Sequence, residues 1–156
     1  SHSEDLALPG ERIGYLAIHP QAIGKKELID GFIYCNRILG FVNAPALMQH
    51  VVCSLQSVSV SIAEYQKKRD FLYENLSEMG YSMVKPQGTF YMFPKSPLAD
   101  DVTFVRELQQ QRVLTVPGSG FGTPGYFRIA FCVDDSVLEG SLAGFRKAAK
   151  KFGLWH

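Results

Sequence analysis

KKRDFLYENLSEMGYSMVKPQGTFYMFP, residues 67–94, changes its hydrophobic period partway along, and that change decides the fold class. Its first half continues a stripe that begins at Ile62 and runs through Tyr65, Arg69, Leu72, Leu76 and Met79 in alternating steps of three and four. Such steps return each side chain to one face of a 3.6-residue turn, so the spacing predicts a helix with one buried side. Ser61 and Glu64 have the spacing of a capping box, in which a hydroxyl and a carboxyl satisfy free amides of the first turn, and Gly80 supplies the stop. Beyond it, YSMVK (81–85) and TFYMF (89–93) flank Pro86, Gln87 and Gly88 and predict two strands joined by a tight connection.

The same alternation extends in both directions. Downstream, a helix is expected from about Asp100 to Gln111, opening on acids that suit its dipole, and RVLTV (112–116) reads as a strand. PGSGFGTPG (117–125) is a glycine- and proline-rich loop, and YFRIAFCV (126–133) is a further strand. Ser136 and Glu139 repeat the capping-box spacing, and Leu138, Leu142, Phe145 and Ala149 give the last helix its apolar face. Upstream, RIGYLAI (12–18), closed by His19 and Pro20, predicts a mostly buried strand. Leu28, Phe32, Cys35 and Leu39 mark a helix from about Lys26 to Leu39 that stops at Gly40. Pro45 fits the first turn of another, continued by Leu47, Val51, Ser54 and Leu55. Strands alternating with helices give the α/β class.

The chain has 156 residues, the size of one ordinary domain or of two small lobes. A hydrophobic share of 46% against 20% charged offsets the entropy of ordering, so the sequence is that of a folded globular protein. Lys and Arg number 16 against 15 Asp and Glu, which leaves no positive field to gather a nucleic acid or an anionic membrane surface. Apolar runs are far shorter than a bilayer span, and the polar opening SHSEDL does not read as a leader, so a cytoplasmic location is expected. Cys35, Cys53 and Cys132 lie far apart in apolar settings and read as buried, reduced thiols.

Two arginines are the candidates for chemistry. Arg12 heads an apolar run behind LPGE, where a guanidinium offers a planar fork to a phosphate or carboxylate, or else is solvated at a strand end. Arg128 interrupts YFRIAFCV; if buried it needs an anion, and if alternation turns it outward it meets water. PGSGFG is phosphate-loop-like in composition, but it precedes a strand and lacks a following Lys-Ser/Thr, so it reads as a structural turn. His2, His19, His50 and His156 form no metal-ligand pattern, and Ser119 does not sit in a nucleophile elbow. Phe90, Tyr91 and Phe93 read as core.

Taken in order, four blocks carry a more specific likeness. SHSEDLALPGERIGY (1–15) resembles the segment S-x-S-K-x-x-x-x-x-G-x-R-x-G that follows the active-site strand in fold-type-I, pyridoxal-phosphate-dependent aminotransferases of the aspartate aminotransferase type. NAPALMQHV (43–51) looks like that family's interface helix, and residues 67–94 look like its long helix and first small-domain strands. VLTVPGSGFGTPGYFRIAFC (113–132) is similar to its closing signature. The likeness covers essentially the whole chain. It implies that residues 1–55 are the last elements of the large cofactor domain and 56–156 the small α/β domain.

The resemblance also implies roles. Ser1, Ser3 and Arg12 would contact the phosphate of pyridoxal phosphate, and Arg128 would grip the α-carboxylate of an amino acid or 2-oxo acid. A homodimer that transfers amino groups by a ping-pong route is expected. Glu4 departs from the pattern: it stands where the family keeps its imine-forming lysine, and a carboxylate forms no imine. Lys25 and Lys26 lie at a helix start beyond the strand and do not replace it. The family's contacts to the cofactor ring precede that lysine. The sequence thus reads as an inactive piece of such an enzyme, as a non-catalytic binding or dimerisation module derived from it, or as a lyase or decarboxylase of the same fold. An unrelated α/β domain is the remaining alternative.

Overall fold

The computed structural model describes residues 1–155, so His156, one of the four histidines considered above, lies outside the described residues. By its contacts the chain divides into two compact units, Ser1–Val60 and Ser61–His156.

The first unit holds three helices, α1 (His2–Asp5), α2 (Lys25–Ile38) and α3 (Ala46–Cys53). Its ends are tied by backbone bonds from Val60 N to the Asp5 carbonyl (3.0 Å) and from His2 N to the Ile13 carbonyl (3.1 Å). Only His2, Ile13 and Val52 are buried within it. α2 forms where expected, yet buries no residue, and Leu28, Ile29, Phe32, Ile33 and Ile38 all face solvent. The predicted buried strand over 12–18 does not form. Ile13 alone is buried there, while Tyr15 is 78% and Leu16 60% exposed, and among the described residues no strand runs beside the segment to pair with its backbone. Cys35 and Cys53 are exposed rather than buried, because the apolar faces that carry them are uncovered.

The second unit is closed around a core. α4 (Ile62–Glu78) begins at Ser61, whose hydroxyl accepts from the Glu64 amide, and lays Leu72 and Leu76 into the interior without exposed surface. α5 (Asp101–Gln110) is capped by Asp100, whose carboxylate accepts from the Val102 and Thr103 amides, and contributes Phe104 and Leu108. α6 (Asp135–Lys151) contributes Leu138, Phe145, Ala148 and Ala149. These helices pack with β1 (Tyr91–Met92), β2 (Val116–Pro117) and β3 (Phe127–Ala130), which order β1-β3-β2 with both pairings antiparallel. Val116 opposes Arg128, and Met92 opposes Ile129. Each fully buried Leu or Phe stabilises the unit by about 1.5–3 kcal/mol through removal of apolar surface from water. The α/β class holds.

Within this unit several boundaries differ from the sequence reading. Residues 81–85 are not a strand: Tyr81 turns inward, and its hydroxyl donates to the Phe145 carbonyl at 3.0 Å. Of 89–93 only Tyr91 and Met92 are strand, and they pair with β3 rather than with the preceding run. RVLTV contributes only its end to β2: Arg112 adopts a left-handed conformation (φ 62°), and of the run only Val116 pairs with β3. The last helix is capped at Asp134 without a side-chain bond, two residues before the expected Ser136. Cys132, just past the end of β3, is exposed. Among the described residues no helix is long and apolar enough to cross a membrane.

Candidate functional site

In the first unit, Ser1, Ser3, Arg12, Ile13 and Gly14 line a polar cleft of about 210 Å³. Ser1 caps α1 and its Oγ accepts from the Ser3 amide at 3.2 Å, which holds both serines at one rim. The chain leaves that helix, passes a short 3₁₀ turn over Pro9–Glu11, and returns to the cleft at Arg12 in a left-handed conformation (φ 53°). One Arg12 Nη donates to the Pro9 carbonyl at 2.7 Å, and the remaining N–H groups of its fork stay available. At Gly14 a Cβ would come within 3.1 Å of Ser1 Cα, tighter than ordinary van der Waals contact, so the glycine eases the close approach of the two segments. His2, between the two serines in sequence, is buried, with Nδ1 3.1 Å from both Asp5 carboxylate oxygens.

These residues fit a phosphate: hydroxyls, a guanidinium and a close glycine backbone converge on one polar hollow. They do not fit the aldehyde end of pyridoxal phosphate, because Glu4, exposed on α1, has no amine to condense with it. Lys25 is the first residue of α2 and lies outside the cleft lining.

In the second unit the candidate is Arg128. β3 buries Phe127 and Ile129 on its core face and turns Arg128 to the other side, as strand alternation requires. There its Cζ lies 4.4 Å from the centroid of the Tyr91 ring and 4.1 Å from that of Phe121. Its Nε is buried and has no hydrogen-bond partner, and among the described residues no carboxylate forms an ion pair with it. A buried donor left unpaired costs about 1–3 kcal/mol, more when it is charged. An in-plane anion removes that cost, so the arrangement suits a carboxylate.

Phe121 ends a 3₁₀ turn over Gly118–Phe121, inside the loop read from sequence as purely structural. That loop is tightly fixed. Gly118 packs where a Cβ would lie 2.3 Å from the Thr123 carbonyl oxygen and 2.7 Å from that of Tyr126, so no other residue fits. Asp101, 3% exposed, accepts from the Ser119 amide at 2.7 Å. Neither Phe121 nor Asp101 was singled out by sequence reasoning. The available signals were an aromatic set among glycines and a second acid directly behind a helix-capping acid. Tyr91, read as core, is half-buried and belongs to the arginine's surroundings as well.

With both constellations in view, comparison with known proteins places the chain. The profile of the family described as aminotransferase class I and II matches residues 1–143, and the chain belongs to that family. It is 39% identical over 141 residues to an aspartate aminotransferase of Thermotoga maritima, covering 90% of this chain and 36% of that protein. It is 30% identical over 148 residues to a probable aspartate aminotransferase of Methanocaldococcus jannaschii, covering 90% and 39%. The crystal structure of an amino transferase from Eubacterium rectale matches with a TM-score of 0.80 at 40% identity, over 97% of this chain and 38% of that one. The chain thus spans roughly two fifths of the length of the curated relatives it matches.

Proposed function

We propose that this chain is the C-terminal part of a pyridoxal-phosphate-dependent aminotransferase that moves an amino group between an amino acid and a 2-oxo acid. The observation that carries the reading is the Arg128 guanidinium, set against two aromatic rings with its Nε–H buried and unpartnered. A carboxylate is common to both substrate classes, and a bidentate fork matches it in charge and geometry. Ser1, Ser3 and Arg12 would hold the cofactor phosphate, supported by their convergence on one cleft. When bound, the cofactor's pyridine ring supplies the electron sink that makes loss of the substrate α-proton feasible. In this division residues 1–55 belong to the cofactor domain and 56–156 to the small domain, and the intact protein works as a cytoplasmic homodimer.

Glu4 favours a second reading for this chain as it stands. Without an amine at position 4 there is no group to hold the cofactor covalently or to return the proton, so the chain is catalytically inactive and acts as a binding or dimerisation module of the same descent. Borohydride reduction in the presence of pyridoxal phosphate, followed by peptide mass spectrometry, separates the two. The chain is expected to yield no reduced adduct at any one lysine. A stoichiometric adduct at a single lysine near Arg12 would contradict the assignment of Glu4 as the missing group. Arg128→Ala in the full-length protein is expected to weaken capture of amino and oxo acids while sparing cofactor binding; unchanged substrate affinity would return Arg128 to a structural role.

A further inference from the structure

We propose that Phe121 positions Arg128 for a ligand carboxylate, closing a flat face of the guanidinium so that the anion is met by its N–H edge rather than its face. The inference rests on the reading of Arg128 as a carboxylate site and adds to it the residue that sets the direction of approach.

β3 is the central strand, and the two rings reach Arg128 from its two flanks: Tyr91 from β1, and Phe121 from the turn that follows β2. At 4.4 and 4.1 Å from the ring centroids, Cζ lies within stacking range of both, where the negative ring faces attract the cation. A guanidinium held this way cannot swing its edge away without losing a ring contact. Its donors are therefore already aimed before a ligand arrives, which lowers the ordering cost of binding.

Phe121 itself is 45% exposed, so apolar burial does not account for its place. It also meets the Phe93 ring at nearly a right angle, with the ring centroids 5.9 Å apart. What fixes it is the backbone beneath: Gly118 N donates to the Tyr126 carbonyl at 2.8 Å, Thr123 N to the Gly118 carbonyl at 2.9 Å, and Ser119 N to buried Asp101. A partly exposed aromatic on so constrained a turn, stacked on an arginine whose buried donor lacks a partner, is the geometry of a pre-aimed anion fork.

Titration of the 156-residue chain with pyruvate, followed at the Arg128 Nε–H resonance, tests this. In the wild-type chain the resonance is expected to shift saturably, and Arg128→Lys is expected to abolish binding. Phe121→Leu keeps bulk and apolarity but removes the ring, and is expected to raise the dissociation constant about tenfold with an unchanged melting temperature. Phe121→Tyr is expected to restore wild-type affinity. If Phe121→Leu binds pyruvate like the wild type while Arg128→Lys does not, the positioning role is overturned and the carboxylate site stands. If the wild type shows no shift, or Arg128→Lys binds equally well, the carboxylate reading fails and the positioning role fails with it.

Discussion

The two units carry helices of similar amphipathic design but opposite fates. α4, α5 and α6 each bury a stripe against the sheet, whereas α2 holds Phe32 at 41% and Ile33 at 50% exposure and buries nothing. Helical periodicity therefore reports that a face needs cover. It does not report that the cover lies in the same stretch of chain.

The sharpest way to break this contrast is to remove matched side chains from each unit. Leu76→Ala, at a site with no exposed surface, is expected to lower the unfolding free energy by about 3 kcal/mol in urea titration. Phe32→Ala is expected to change it by no more than about 0.5 kcal/mol. Equal losses would mean that the first unit has a core of its own. The uncovered apolar faces also predict that the chain self-associates, and Phe32→Glu is expected to weaken association about tenfold in sedimentation equilibrium. A monomer at high concentration that binds no apolar dye would count against this.

Tyr81 sharpens the comparison from the other side. Burial raises its phenol above the ordinary value, because the charged form would lose its hydration among Phe104, Phe127 and Phe145. A folded-state value above the unfolded one gives stability that is complete below the unfolded pKa, about 10, and is lost as pH rises through the folded one. The second unit should thus lose stability under alkaline conditions. Tyr81→Phe is expected to cost about 1 kcal/mol at neutral pH, from the lost bond to the Phe145 carbonyl, and to flatten the alkaline limb of a stability–pH curve.

The smallest effect is expected at Asp70, whose carboxyl is held below its ordinary value by hydrogen bonds from Lys85 and then Arg69. Its contribution is present above the unfolded value and fades as pH falls through the folded one. Asp70→Asn should lower stability slightly at neutral pH and flatten the acid limb, leaving the low-pH value unchanged, and a large loss at neutral pH would show that these surface ion pairs are structural.

What the sequence disclosed follows from which signals are local. Ser61, Asp100 and the stripes of α4 and α6 act within a few residues, and those elements stand where their patterns put them. Strand extent was less legible: YSMVK and RVLTV have the composition of strands, but pairing is a long-range event, and only residues that meet β3 entered the sheet. At the candidate site the arginines were conspicuous as charges in apolar runs. Phe121 and Asp101 were not, since the ring meets the guanidinium only through the folded path of the turn, and Asp101 reaches the Ser119 amide across 18 residues of sequence.

The alternation along β3 has a consequence for folding fidelity. Phe127 and Ile129 face the core, and Arg128 between them faces away. A slip of one residue in its pairing with β1 or β2 would drive a cation in among Phe104 and Phe145 and put two large apolar groups in the wrong place. The aligned sheet and the slipped one are therefore widely separated in energy, although each of the two ladders spans only two registered pairs. The arginine thus also guards strand alignment, since any mispairing that hides its charge carries the cost of burying an unpaired cation.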